Sequence, residues 1–335
     1  MRSNERVVHA LTVSDILGEA ESRLRNARLA YGHGTTNARD ESAYLVLHAL
    51  KLPFEALPDC LDRPVRANDV RRALELVERR IRERVPAAYI THEAWLGNFR
   101  FYVDERTIVP RSFIAELLVR RLAPWLKARE RVTSILDLCT GSGCLAVMAA
   151  ALFPRAHVDA VDLSAPALQV ARRNVVLHEL EGRVRLIRSD LFEKVEATYD
   201  LIITNPPYVP QATTDALPPE YRHEPRIALD GGRDGLDLVR RILSEAPAHL
   251  TSNGLLIVET GHYRKRVERV FPRLPFVWPE TSGGDDCVFL IRKPELATAP
   301  IPSSATPPAP RRKAVRHTAP ASVAKAAKRH RNARA

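Results

Sequence analysis

Asn205-Pro206-Pro207-Tyr208 is the stretch best equipped for chemistry. It follows the apolar run Tyr199–Thr204, whose residue types predict a buried strand. Two consecutive prolines end that strand, because neither can donate a ladder hydrogen bond. Asn205 is thereby held at a strand's carboxyl end, where open α/β sheets bind ligands. Its side chain offers an acceptor oxygen and a donor amide. With the proline carbonyls beside it, such a corner can grip a flat –NH2 group, either an amide or an exocyclic base amine. An Asn-Pro pair alone usually does no more than end a strand. The residues upstream turn this one toward function.

Those residues stand at the ends of three earlier strands. Asp137-Leu138-Cys139-Thr140-Gly141-Ser142-Gly143 joins the strand predicted over 134–138 to a helix over 144–153. Glycines in such a loop let the backbone approach a ligand closely. The third glycine of a dinucleotide fingerprint is absent, since position 146 is Ala146. Asp162 ends the second strand, 19 residues after Gly143, where a carboxylate can accept from both ribose hydroxyls. Asp190 ends the third strand and is placed to border an adenine. Each acid alone would more often cap a helix. The ordered array of polar strand ends is the more specific signal.

The elements that must position these residues alternate as strand, loop and helix from Thr133 onward. That alternation predicts an α/β fold, a mostly parallel sheet with helices on both faces. A helix near Leu236–Leu250, a strand over Leu255–Glu259 and two short strands at Phe276–Trp278 and Val288–Ile291 follow. Before the sheet, residues 94–103 predict a hairpin around Gly97-Asn98, leading to a helix near Ser112. Residues from about 12 to 85 predict a small helical domain, with helical spacing after a Thr12/Ser14 start and again over Asn68–Arg84. The expected domains are thus 1–90 helical, 91–111 a hairpin linker, 112–293 the sheet domain and 294–335 a basic tail.

Composition narrows the function classes. The longest apolar run, Leu145–Phe153, is far short of the roughly 18 residues that span a membrane. The N-terminus leads into no secretory signal, so a cytoplasmic protein is expected. Four cysteines show no Cys-x-x-Cys pair and no nearby histidine at ligand spacing, so no metal is expected. The net charge is +11, but residues 294–335 hold nine Lys/Arg against one acid, Glu295. The remainder, with 42 bases and 39 acids, is nearly balanced. The tail is poor in large apolar residues and is expected to be disordered. It would attract RNA through counterion release or serve only solubility.

With these motifs in order, the chain resembles the class I S-adenosylmethionine-dependent methyltransferases. Within them it is similar to the protein-glutamine N(5)-methyltransferases that carry Asn-Pro-Pro-Tyr. Val109-Pro110-Arg111-Ser112-Phe113, Leu138-Cys139-Thr140-Gly141-Ser142-Gly143-Cys144, Phe101–Arg106 and Glu220-Tyr221-Arg222-His223-Glu224-Pro225 resemble the PrmB type, which modifies the third large-subunit ribosomal protein. The resemblance covers roughly residues 12–293 and departs at Phe113, where the type carries proline. It implies a Rossmann-like fold with an antiparallel strand near the end, and S-adenosyl-L-methionine as cofactor. It implies that Asp137, Cys139, Thr140, Gly141, Ser142, Gly143, Asp162, Asp190, Leu191 and Asn205 form the cofactor site. It also implies that Asn205, Pro206, Pro207 and Tyr208 are catalytic, with Arg111 at the substrate mouth and Glu220-Tyr221-Arg222-His223-Glu224-Pro225 supplying further polar anchors on the substrate's approach. The helical domain and the insertion Val209–Arg226 would flank the sheet's carboxyl edge and choose the protein substrate. Three other readings share parts of this pattern. They are glutamine methylation of peptide chain release factors, adenine amino-methylation of nucleic acid, and a non-enzymatic ribosome-assembly factor that binds RNA through the tail. The near-neutral folded part argues against base extrusion onto a basic face.

Overall fold

The computed structural model describes residues 10–126 and 129–296. They form two compact units, one of residues up to Ala94 with Val103–Glu105 and Pro218–His223, the other of the remainder. The first unit is helical. α1 (Val13–Asn26) starts at Thr12, whose hydroxyl accepts from the Asp15 N–H while the Asp15 carboxylate accepts from the Thr12 N–H at 2.8 Å. This reciprocal cap satisfies two donors that a helix start leaves open. α2 (Ala38–Leu50), α3 (Leu57–Cys60), α4 (Ala67–Glu83) and α5 (Ala87–Thr91) follow. Ile16, Ala20 and Leu24 of α1 pack with Leu45, Val46 and Ala49 of α2 and with Ala73 and Val77 of α4.

Sequence periodicity places the α4 charges in water, and Arg80 is the exception. It is fully buried, with Nε donating to Glu41 Oε1 at 2.7 Å and Nη2 to the Ala30 carbonyl at 3.0 Å. Glu220, also fully buried, accepts from the Ala30 N–H at 3.1 Å and from Arg84 Nη1 at 2.9 Å. Buried charges persist only when paired in this way. Pro218–His223 therefore belongs to the helical unit, with Glu220 in its interior, although it lies more than 120 residues downstream of that unit's helices.

The second unit carries the hairpin of β1 (Ala94–Leu96) and β2 (Phe99–Phe101), and then α6 (Ile114–Val119). Next come β3 (Ser134–Leu138), α7 (Cys144–Leu152), β4 (His157–Asp162), α8 (Ala165–Leu177), β5 (Val184–Arg188) and β6 (Tyr199–Thr204). α9 (Gln211–Thr214), α10 (Asp237–His249), β7 (Leu250–Glu259), α11 (Arg264–Val270), β8 (Val288–Arg292) and α12 (Lys293–Leu296) complete it. The six-stranded sheet has the order β5-β4-β3-β6-β7-β8. Every neighbouring pair is parallel except β7–β8. Both faces are covered. Ile135, Leu201, Ile203 and Ile257 pack in one cluster with α6 and α7, while Leu136, Ile202, Leu256 and Val258 pack in the other with α10 and α11. Successive side chains alternate between faces, so a strand buried on both sides reads as a continuous apolar run.

Three expectations change. Phe276–Trp278 forms no strand of its own and contributes the single antiparallel bridge Val277–Leu290. The helix expected near Ser112 begins at Ile114, because the Ser112 hydroxyl and the Phe113 N–H both bind Glu259. The fold also runs past Lys293. Leu296 is 2% exposed within the apolar cluster against α10, and Glu295 accepts from the Arg292 N–H at 2.8 Å. The rest of the expected tail, 297–335, lies outside the described residues.

Candidate active site

The loop after β3 is built by left-handed residues and by two carboxylates, one buried and one half-buried. Cys139, Gly141 and Gly143 have φ of +57°, +56° and +78°. At Gly143 an added Cβ would come within 3.0 Å of the Ala171 Cβ on α8, so glycine is needed for both conformation and packing. Beneath the loop, Asp137 is 1% exposed and accepts from the Thr140 hydroxyl at 2.5 Å. Burial pushes its carboxyl up to about 7, against the lowering effect of Thr140. Asp162, at the end of β4, accepts from the Gly141 N–H and from the Ser164 N–H, each at 2.8 Å. Burial raises its carboxyl above the usual range, opposed by those backbone donors. Asn174 of α8 braces the other side, donating to the Ser142 carbonyl at 2.8 Å.

A cavity of about 110 Å³ opens over these strand ends. Cys139, Gly141, Asp162, Asp190, Leu191 and Asn205, six of the residues expected around a cofactor, line it. Asp137, Thr140, Ser142 and Gly143 do not reach it; the first three are buried beneath the loop. Of the expected catalytic corner, Asn205 and Pro207 line the cavity and Pro206 and Tyr208 do not. Two lining residues, Leu163 and Ile227, are 50% and 56% exposed and give the cavity apolar walls. Asp190 receives Arg241 Nη1 from α10 at 2.9 Å. Arg241 has no signal in the sequence, since it reaches Asp190 only through the placement of α10.

The Asn-Pro-Pro-Tyr corner leaves β6 where the Thr204 hydroxyl donates to the Leu138 carbonyl at 2.9 Å. Three glycines enclose it. A Cβ at Gly231 would lie 2.7 Å from both the Pro207 oxygen and the Tyr208 Cα. A Cβ at Gly235 (φ +80°) would overlap the Tyr208 carbonyl oxygen, and one at Gly261 (φ +56°) would meet the Tyr208 ring at 2.8 Å. Tyr263 stands edge-on to that ring, 6.3 Å between centroids. Burial, then the nearby Glu259, raises the Tyr208 phenol. Glu259 is itself 1% exposed and is pushed up to about 7 by burial, although the Ser112 hydroxyl donates to it at 2.5 Å. Gly231 and Gly235 had a visible cue, three glycines in the five residues from Gly231 to Gly235, and Gly261 stands apart from that cluster. Glu259 had none beyond its place at a strand's end.

Arg111 is held by Glu224. Nη1 and Nη2 donate to its two carboxylate oxygens, the second at 2.7 Å, and Nη1 also donates to the Val109 carbonyl at 3.3 Å. Glu224 also accepts from the Val109 N–H at 3.0 Å. The bidentate pair fixes the guanidinium plane. Glu220 and Glu224, expected as polar anchors on the substrate's approach, are both buried and tie the chain to itself.

The sheet order, its one antiparallel pair and a strand-end cavity beside Asn-Pro-Pro-Tyr define a class I S-adenosylmethionine-dependent methyltransferase. Residues 115–218 match the methyltransferase small domain, and residues 15–91 match the PrmC N-terminal domain. The ribosomal protein uL3 glutamine methyltransferase of Neisseria meningitidis serogroup B is 52% identical over 293 residues, covering 88% of this chain and 97% of that protein. Its namesake from Bordetella pertussis is 52% identical over 288 residues, covering 86% and 97%. That from Burkholderia pseudomallei is 51% identical over 293 residues, covering 85% and 95%. The chain belongs to the family of ribosomal protein uL3 glutamine methyltransferases.

The residues present fit the cofactor. A Cβ at Gly141 would meet nothing within 4 Å, so the loop leaves open space beside the Asp162 carboxylate. The Leu163 and Ile227 side chains offer apolar walls for a flat ring. Asp162→Ala is expected to weaken S-adenosylmethionine binding by roughly 1.5–3 kcal/mol, the worth of hydrogen bonds to a charged group. Calorimetry showing unchanged affinity would place the ribose elsewhere.

Proposed function

We propose that this chain methylates a glutamine side-chain nitrogen of ribosomal protein uL3, and that Asn205 is the residue that presents the amide. The observation that carries the chemistry is Asn205 on the wall of the strand-end cavity, directly after β6. An amide nitrogen is a poor nucleophile, because its lone pair is delocalised into the carbonyl. The Asn205 side-chain oxygen and the Pro206 carbonyl accept its two N–H groups and aim the nitrogen into the cavity. S-adenosylmethionine, when bound, supplies an electrophilic methyl on a sulfonium. Fixed carbonyl dipoles stabilise positive charge as it develops on nitrogen. Positioning of this kind can remove roughly 7–11 kcal/mol of barrier in the best cases. Pro207 and the Tyr208 ring close the corner against water, and Asp162 and Asp190 hold the cofactor from the neighbouring strand ends. Arg111, its plane set by Glu224, marks the substrate mouth.

The corner recognises an amide and does not distinguish one glutamine from another. Discrimination falls to the helical unit and the insertion 209–226. The experiment is competition between purified uL3 and a release factor for a labelled methyl group, with mass spectrometry locating the product. Preferential labelling of uL3 is expected. Preferential labelling of the release factor overturns the substrate and keeps the chemistry; labelled RNA overturns both.

Two lesser assignments go with this reading. The protein works in the cytoplasm, where ribosomal proteins are made; among the described residues no helix is long and apolar enough to cross a membrane. The nine basic residues of 294–335 give the full chain a salt-sensitive affinity for ribosomal RNA. Binding measured against salt concentration should be weaker for a chain ending at Leu296. Equal affinity and slope for the two chains would refute a role for the tail.

A further inference from the structure

Beyond the methyl-transfer site, one trio of side chains among the described residues converges as metal ligands do. His262 lies in the turn after β7 and Cys287 immediately before β8. The Glu259–Val288 pairing of these strands and a Thr260 N–H bond to the Cys287 carbonyl at 2.8 Å bring the two segments together. His262 Nδ1 stands 3.4 Å from Cys287 Sγ and 2.9 Å from Asp286 Oδ1. Sγ is 3.5 Å from the same Oδ1, closing the triangle. Zinc bond lengths of about 2.0–2.3 Å at tetrahedral angles put a nitrogen or oxygen donor about 3.5 Å from a sulfur, and nitrogen and oxygen donors about 3.3–3.4 Å from one another. The two sides to sulfur already meet that spacing, and the nitrogen–oxygen side needs to open by about 0.4 Å.

The chemistry of the donors agrees with the geometry. A thiolate, an imidazole nitrogen and a carboxylate oxygen are the zinc donor types. The thiolate and carboxylate together neutralise a divalent charge. The His262 and Asp286 side chains are 33% and 40% exposed, giving a cation a way in, while Cys287 forms the buried floor. Arg264, on neighbouring α11, is engaged by Glu268 at 2.9 Å and Asp285 at 3.1 Å rather than by Asp286.

We propose that His262, Asp286 and Cys287 form a zinc site, with water as the fourth ligand. On binding, the Sγ–H bond breaks, its proton passes to solvent, and an Sγ–zinc bond forms; Nδ1 binds through its lone pair, with the ring proton on Nε2. The sequence shows no ligand spacing because His262 and Cys287 are 25 residues apart and meet only through the β7–β8 pairing. The bound ion would tie the turn holding Gly261, which packs on the Tyr208 ring, to the start of β8.

Cobalt chloride titrated into the reduced full-length chain is the test. One equivalent should produce a thiolate-to-cobalt absorption band that one equivalent of zinc chloride removes. Cys287→Ser should abolish the band. His262→Ala and Asp286→Asn, at solvent-facing positions that leave the core intact, should each weaken binding roughly tenfold or more. Zinc should also raise the melting temperature of the wild type more than that of His262→Ala at the same zinc concentration. No thiolate band, or a band that survives both His262→Ala and Asp286→Asn, overturns the site. None of these readouts depends on methyl transfer, so a wrong substrate would leave them unchanged.

Discussion

Asn205→Ala is expected to reduce methyl transfer to uL3 by at least about 10²–10³-fold in kcat, the scale on which single preorganised polar groups act. The substitution deletes the side-chain oxygen proposed to accept from the reacting amide. It leaves the strand that carries the corner untouched, because Thr204 remains bonded to the Leu138 carbonyl and Ile203 remains in the core. The groups proposed to anchor the cofactor, Asp162 and the loop after β3, lie at the ends of other strands. Calorimetric affinity for S-adenosylmethionine should therefore change little while turnover collapses. An interaction made chiefly in the transition state lowers kcat without a matching change in binding. Turnover near that of the wild type would remove Asn205 from the mechanism, and a parallel collapse in cofactor affinity would recast it as a binding residue.

How far the chain could be read before folding depended on whether the cue was local. The β3–α7 loop and the strand ends at Asp162 and Asn205 were legible because runs such as Leu201-Ile202-Ile203 are buried on both faces. The N-terminal cap at Thr12 and the turn at Gly97-Asn98 were legible for the same reason, as short patterns with one structural meaning. What stayed hidden required partners far along the chain. Glu220 looked like a surface anchor and is interior, because its partners Ala30 and Arg84 lie 190 and 136 residues away. Arg241 meets Asp190 across 51 residues. Phe276–Trp278 has strand-forming residue types, yet only Val277 pairs, while the rings of Phe276 and Trp278 pack on Phe289. The tail's composition set its start one turn early, since composition alone cannot show that Leu296 finds an apolar pocket against α10.

The same distinction makes Gly235 the most informative position after Asn205. Gly235→Ala is expected to lower kcat about 10²-fold, the cost of a misplacement on the order of 1 Å at a reacting group. Its φ of +80° lies in the region that L residues occupy at a cost of roughly 1–2 kcal/mol. Its new Cβ would overlap the Tyr208 carbonyl oxygen and approach the Pro210 ring at 3.3 Å. The obstructing atom is backbone, so no rotamer change relieves it. Relief must come from moving Tyr208 or the loop, and Tyr208 is three residues from Asn205. The loop resists, because Leu236 N–H is bound by Asp234 at 3.1 Å and Arg240 also holds Asp234, at 2.6 Å. The displacement therefore passes into the Asn-Pro-Pro-Tyr corner. Gly182→Ala is the control: its Cβ would meet nothing within 4 Å, and its backbone lies outside the left-handed region. Turnover should be measured well below each variant's melting temperature, to separate misplacement from unfolding. If Gly235→Ala turns over as fast as Gly182→Ala, the glycine loop does not position the reaction corner.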